Sequence, residues 1–217
     1  MIDEIKIDSN KEKFLELVRG IDRPGIDFER LLAQLTGSDF FEAPASAMYH
    51  NACRGGLCDH SLNVYRCLKK LCETLYTSDD PEVDLTCPYD EDTIRIVSLF
   101  HDFDKMNKYE RTAMNKKIYS DGGSKYDEMG RYDWVSVPGY KRKDAKEVFS
   151  IGTHGENSAY MTETFIPLSA EEHCAILNHH SVYDNPKNDI SPIYNKYSLA
   201  CLLHLADMSA TYIMEKI

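Results

Sequence analysis

The sequence predicts an all-α fold, and three observations predict it. Apolar residues recur with helical spacing over most of the chain outside residues 106–150. Helix-opening residues stand where such runs begin, most plainly in the capping-box pattern Ser169-Ala-Glu-Glu172. The composition, 42% hydrophobic and 28% charged, is that of an ordinary soluble globular protein. A chain of 217 residues suits a single domain, 1–217, with room for a real core.

Residues 10–19 and 26–36 carry short amphipathic patterns, the first opened by Ser9 or Asn10 and stopped by Gly20. Phe40 to Pro44 reads as a turn, and residues 45–59 run into a strong helix. In that helix Leu57, His60, Val64, Leu68, Leu71 and Leu75 make one stripe, which turns His60 towards the core. Residues 77–90, with Pro81 and Pro88, read as a polar loop. Asp90 to Thr93 opens the next helix, where Ile94, Val97 and His101 lie at i, i+3 and i+7. From 106 to 150 the helical period fails, punctuated by Gly122-Gly123, Gly130, Pro138 and Gly139. This stretch is too long for an idle connection and reads as an irregular lid with room for a short β-hairpin, Trp134–Val137 being the candidate strand. A helix follows from about 157 to 165, ended by Pro167, and Ser169 opens another to about 180. Tyr194 to about Ile213 reads as the last helix, with Leu199, Leu203, Asp207 and Ala210 on one side.

Composition narrows the function. The seven cysteines are odd in number and form no CxxC pair, so neither a disulfide framework nor a zinc ribbon follows. The first residues lack the apolar core of a secretory signal, and no stretch approaches the ~18 apolar residues of a membrane span. The expectation is a cytoplasmic protein with no membrane partner. A formal net charge of −11 argues against long nucleic acid, because duplex binding needs a basic surface. Charge is uneven, however: residues 105–146 hold 11 Lys/Arg against six acids. Such a segment either draws a small anionic ligand or is a solvated lysine-rich loop.

Seven polar groups stand at positions where a core residue is expected: His60, His101, Asp102, His154, His179, His180 and Asp207. A buried carboxylate beside a buried imidazole needs a compensating cation. A metal ion supplies one; the plainer reading is a core His and a helix-end Asp satisfied by backbone groups. Imidazoles and carboxylates gathered from five segments favour the metal, and without cysteine they suit Mn, Fe, Co, Ni or Zn better than an all-oxygen Mg or Ca cage.

The order His, His-Asp, His, His-His, Asp resembles the HD-domain metal-dependent phosphohydrolases, in particular members with extra histidines for a second metal. Gly55-Gly-Leu-Cys-Asp-His60-Ser-Leu resembles the first motif, and Leu99-Phe-His101-Asp102-Phe-Asp-Lys105 the second, with its lysine. Gly152-Thr-His154-Gly, Asn178-His179-His180 and Leu205-Ala-Asp207 are similar to the remaining three. The motif-bearing region spans residues 44–213, with 106–150 as a lid insertion. The resemblance implies an HD-domain-like helical bundle holding two divalent transition-metal ions (Mn, Fe, Co or Ni; Mg or Zn also fit). It implies that His60, His101, Asp102 and Asp207 hold one ion. Asp102 would bridge to a second held by His154 and by His179 or His180, the other of that pair facing substrate. Asp102 and Lys105 would be catalytic, with Lys105 also binding a phosphate oxygen. His50 and Arg54, just ahead of the first motif, are substrate-binding candidates; a structural His50 and a surface Arg54 are the alternatives. Lid aromatics Tyr119, Tyr126, Tyr132 and Trp134 either stack on a base or form a small core of their own. His173 and His204 fit no motif and read as structural.

Two features depart from the family. Asp104 stands where many relatives have Gly, and the Glu-Asp pair that guanosine-tetraphosphate hydrolases place after His-Asp is absent. The function implied is hydrolysis of a phosphoester or phosphoanhydride bond of a small (deoxy)nucleotide or cyclic nucleotide by a metal-activated hydroxide. The partner is then a small anionic nucleotide-like substrate. The alternatives are a single-strand RNA or DNA nuclease, a di-iron oxygenase on the same fold, and a non-catalytic ligand sensor.

Overall fold

The computed structural model describes residues 2–77, 86–180 and 189–215. The chain is mainly helical, with one small antiparallel sheet. The order is α1 (Glu4–Arg19), α2 (Phe28–Gly37), α3 (Gly56–Leu75), α4 (Glu91–Phe100), a 3-10 turn (Phe103–Lys105), β1 (Tyr109–Tyr119), β2 (Lys125–Asp127) and β3 (Gly130–Arg142). Then come α5 (His154–Glu163), α6 (Ala170–Asn178), α7 (Ser191–Lys196), α8 (Ser198–Ser209) and a π-helical turn (Ala210–Met214). No helix among the described residues is long and apolar enough to cross a membrane.

The helices start where local chemistry starts them. Asp27, Asp90, Thr153 and Ser169 each accept a backbone N–H from the first turn of their helix, the last two within full capping boxes. For α1 the expected cap is wrong. Asp3 caps it, accepting the Lys6 amide at 2.8 Å, and the helix begins six residues before residue 10. Asn10 is drawn inward instead, its side chain donating to Asp59 at 2.9 Å. Residues 45–55 are turns, and α3 starts only at Gly56. Gly55 takes φ +77°, and a Cβ on Gly56 would sit 2.0 Å from the Asn51 carbonyl oxygen, so this entry needs two glycines.

Along α3, Leu57, His60, Val64 and Leu68 are buried, and the stripe fades through Leu71 to Leu75, 53% exposed. Helices α4 and α8 flank α3, and α6 packs against α8 and α5. Phe14, Phe40, Phe41, Phe100 and Phe103 form the floor of the core, with ring centroids 4.9–5.9 Å apart in tilted and edge-on pairs. Phe100 and Phe103 bracket His101-Asp102, so that floor fixes the dipeptide against the core.

The fold is mainly rather than wholly helical, and the β-hairpin for which 106–150 had room is present and longer than expected. The lid is no irregular loop but an ordered arm in which β1 pairs with β3 from Tyr109↔Arg142 to Tyr119↔Tyr132. The candidate strand Trp134–Val137 lies inside β3, and β2 adds a third strand on its far edge. Thr, Tyr, Val, Ile and Trp supply the strand preference there, while the many charged residues hide the alternation. The last helix is also corrected. The chain breaks at Tyr197, and Glu171 from α6 accepts the Leu199 amide at 3.2 Å, capping α8 across the fold. Helix α5 starts at His154 rather than near 157, and α6 stops at Asn178. Most of the expected 77–90 loop lies outside the described residues.

Candidate metal centre

Two helix ends shape the centre in the same way. His101 and His179 are the C-cap residues of α4 and α6, where the last carbonyls lack helical partners. Each imidazole turns back and donates Nδ1–H to the carbonyl three residues earlier, His101 to Ser98 at 2.8 Å and His179 to Ile176 at 2.6 Å. The tautomer is thereby fixed, and both Nε2 atoms turn a lone pair into one buried space, that of His101 facing His60 Nε2 at 3.2 Å. His60 enters from α3, His154 from the first turn of α5, His180 from the residue after His179, and Asp207 from α8.

Asp102 lies between them. Its Oδ2 is 3.5 Å from Nε2 of both His60 and His101, and its Oδ1 is 2.5 Å from His154 Nε2 and 3.6 Å from His179 Nε2. Asp207 spans the same space, with Oδ1 3.2 Å from His60 Nε2 and Oδ2 2.9 Å from His180 Nε2. Among the described residues, three sets of potential ligand atoms result, each within 4.8 Å of one another: His60, His101 and Asp102; His154, His179 and His180; and His50, His60 and Glu215. All seven sequence-selected ligand candidates therefore come together. Lys105 joins them, its buried Nζ 2.6 Å from Asp102 Oδ2.

Electrostatics shows what the arrangement lacks. Burial alone would raise Asp102 and Asp207, but Lys105 and the imidazoles around Asp102, and His180 and His60 around Asp207, hold both carboxyls well below their usual range. Burial alone would lower His60, yet its bonds to Asp207 and Glu215 outweigh that and carry it up to about 10. His154, between Asp104 and Asp102, is carried up to about 9 in the same way. His101, buried among other imidazoles, falls to about 3. Protons on His60 and His154 and the Lys105 ammonium thus balance a carboxylate-rich interior. The buried His179 Nε2 has no hydrogen-bond partner among the described residues. Imidazole nitrogens converging with carboxylate oxygens, one of them the unpartnered His179 Nε2, fit a divalent cation, and a donor set of N and O without thiolate suits Mn, Fe, Co, Ni or Zn.

The remaining candidates divide. The His50 ring packs 4.6 Å from that of His60, and its buried Nε2 is without a partner among the described residues. Burial, with the charges of His60 and Lys105, lowers His50 to about 4. Arg54 is not at the centre: it pairs with Glu42 at 2.5 Å and with Glu4, tying α1 to the turn before α3. His173 pairs with Glu163 at 3.0 Å, and His204 Nδ1 donates to the His179 carbonyl at 2.6 Å, steadying the double-His turn from behind.

Sequence reading missed two carboxylates. Glu215 lies 3.0 Å from His60 Nδ1 and accepts from Asn63 at 2.8 Å. It gets there through the π turn, where its amide bonds the Ala210 carbonyl five residues back, a winding that shifts the helical phase and hides it from periodicity. Asp104 lies 2.5 Å from His154 Nδ1 and also pairs with Lys108. Its signal was present as the departure from Gly in the second motif. Glu215 backs His60 by a hydrogen bond, the arrangement that orients ligands and raises their basicity, whereas Asp104 faces His154 Nδ1 as an ion pair without hydrogen-bond geometry.

The buried His/Asp groups are a candidate metal site, and comparison with family models, curated proteins and solved structures finds no match for this chain.

Proposed function

We propose that the chain is a metal-dependent phosphohydrolase on an HD-domain scaffold, cleaving a phosphoester or phosphoanhydride bond of a small nucleotide-like anion. One observation carries the reading: the two oxygens of Asp102 divide the imidazoles into two sets, His60 and His101 on one side, His154 and His179 on the other. A carboxylate so placed could serve both of a pair of ions, one through each oxygen. When bound, such ions supply Lewis acidity and a nucleophile at neutral pH.

The chain's own residues do the rest. His60, His101, Asp102 and Asp207 would hold one ion, and Asp102, His154, His179 and His180 the other. Lys105 keeps a fixed positive charge beside Asp102, where it stabilises negative charge growing on phosphate oxygens. His50, neutral at pH 7 and with Nε2 unused, offers a hydrogen bond to a substrate oxygen or hydroxyl. The surplus of Lys/Arg in 105–146 draws a small anion to a molecule that is otherwise strongly acidic.

The test is direct. Protein loaded with Mn, Co or Ni is expected to release phosphate, pyrophosphate or a linearised product from some member of a nucleotide and cyclic-nucleotide panel. Asp102→Ala is expected to lose both the activity and the metal. Metal-loaded protein that turns over no nucleotide would sink the reading, and iron-dependent oxygen uptake would move it to an oxygenase.

A single-strand nuclease is the second reading, and the arm favours it. Lys117, Tyr119, Tyr132 and Trp134 share one face of the sheet, with the Lys117 ammonium 4.3 Å from the Tyr132 ring centroid and Trp134 49% exposed. Aromatic faces among cations stack unpaired bases. Digestion of a labelled oligonucleotide separates the two readings.

A further inference from the structure

Beside the metal centre, at the root of the arm, lies a cavity of about 180 Å³ that the seven metal candidates do not explain. Lys108, Arg142 and Lys143 line it together with Ser150 and Asn157, and His154 forms the wall it shares with the metal centre. Among the described residues no carboxylate lines it, in a chain with a formal net charge of −11. Three cations around one small hollow raise the local concentration of anions, the more so against an acidic surround. Its volume falls below the roughly 300–1,000 Å³ of pockets that enclose a whole ligand, so it accepts part of one.

The walls are held in place. The Lys143 amide bonds the Lys108 carbonyl at 3.0 Å, and Lys143 Nζ donates to the Asn107 carbonyl at 2.8 Å. The arm's root is thus clamped to the segment that carries Lys105. Asn157 Oδ1 accepts the Ile151 and Gly152 amides at 2.8 and 3.3 Å, so those amides are occupied and attraction rests on the side-chain cations. Lys108 shares Asp104 with His154 and is partly neutralised by it. Arg142, exposed, and Lys143, half-buried, supply the remaining positive charge.

We propose that this cavity is an oxyanion subsite for a phosphate chain, with the arm's root as its positive wall. That the chain belongs to the substrate of the metal centre rests on the hydrolase reading, since His154 is common to both. On that reading the substrate carries more than one phosphate: one group lies at the ions, and a neighbouring group lies between Arg142, Lys143 and Lys108. A nucleoside di- or triphosphate meets this requirement and a monophosphate does not.

Calorimetric titration with inorganic pyrophosphate tests the subsite, using the full chain both loaded with Mn and stripped with EDTA. Stripped wild-type protein is expected to bind pyrophosphate. The double variant Arg142→Gln, Lys143→Gln is expected to bind it at least tenfold more weakly in both states. Lys13→Gln with Arg19→Gln, exposed on α1 and outside the cavity lining, controls for net charge and is expected to match wild type. Equal affinity in the cavity variant, an equal loss in the control, or no binding by the stripped wild type would each overturn the proposal. The hydrolase reading fails separately, by absence of nucleotide turnover while pyrophosphate binding persists.

Discussion

His60 and His154 share a feature that sets how the centre responds to pH. Each is backed by a carboxylate on Nδ1 and faces another on Nε2, and each is held protonated to about 10 and about 9 respectively. A metal must displace those protons, so uptake near pH 7 is expected to release them. The sign follows: below these values protons compete with the ion, and apparent metal affinity rises as pH climbs towards 9–10. Titrations in buffers of different ionisation enthalpy measure the release, and a heat independent of buffer would contradict it. Glu215 deserves its own variant because it touches His60 and Asn63 at the end of the π turn. Loss of an outer carboxylate of this kind costs about 10–100-fold in metal affinity. Glu215→Gln is expected to show that loss in a chelator competition while its circular dichroism stays that of wild type.

At the scale of elements, the centre depends on how closely helix ends approach one another. Helices α5 and α6 meet at Gly155, where a Cβ would lie 2.0 Å from the Leu177 carbonyl oxygen. Backbone cannot yield as a flexible side chain can, so Gly155→Ala must push the start of α5 away from the end of α6. That moves His154 away from His179 and His180, whose rings now lie 5.0 and 5.3 Å from it. Overpacking of this kind costs roughly 1–3 kcal/mol. Thermal denaturation is expected to show Tm falling by several degrees, and metal analysis a loss at the second set of ligands. An unchanged Tm would mean the two helices are not so tightly apposed. The arm behaves differently. Its pairing is largely within itself, with strands of 11 and 13 residues reaching roughly 35 Å at the usual rise per residue.

For the molecule as a whole, the centre is a set of buried polar groups at the junction of five helices, and such groups cost stability unless they are paired. Whatever binds the folded form alone repays that cost by mass action, about 2.7 kcal/mol at a hundredfold excess over Kd. For a chain of this size the gain is a rise in Tm of roughly 5–10 °C. Manganese or cobalt added to stripped protein is expected to produce it, and Asp102→Ala to abolish it. A Tm indifferent to metal in wild type would argue that protons and Lys105 already satisfy the interior.

Much of this was legible in the chain itself. Periodicity located the helices, and a histidine on an apolar stripe, as at His60, announced a polar group facing inward. What is local in chemistry was readable: the cap at Asp90, the capping box at Ser169, and His101-Asp102 with Lys105 one turn on. What depends on distant atoms was not. The arm's strands hide among charged residues because neither face has a core to demand alternation. The break at Tyr197 is capped by Glu171 from another helix, and Arg54 was claimed by Glu4 and Glu42. Glu215 enters through a change of helical winding that no fixed period can carry. The sequence determined which groups are available and which way each helix turns them. Only packing decided the distances between them, because imidazole–carboxylate contacts of about 3 Å are set by how helix ends meet, and that is a property of the assembled core.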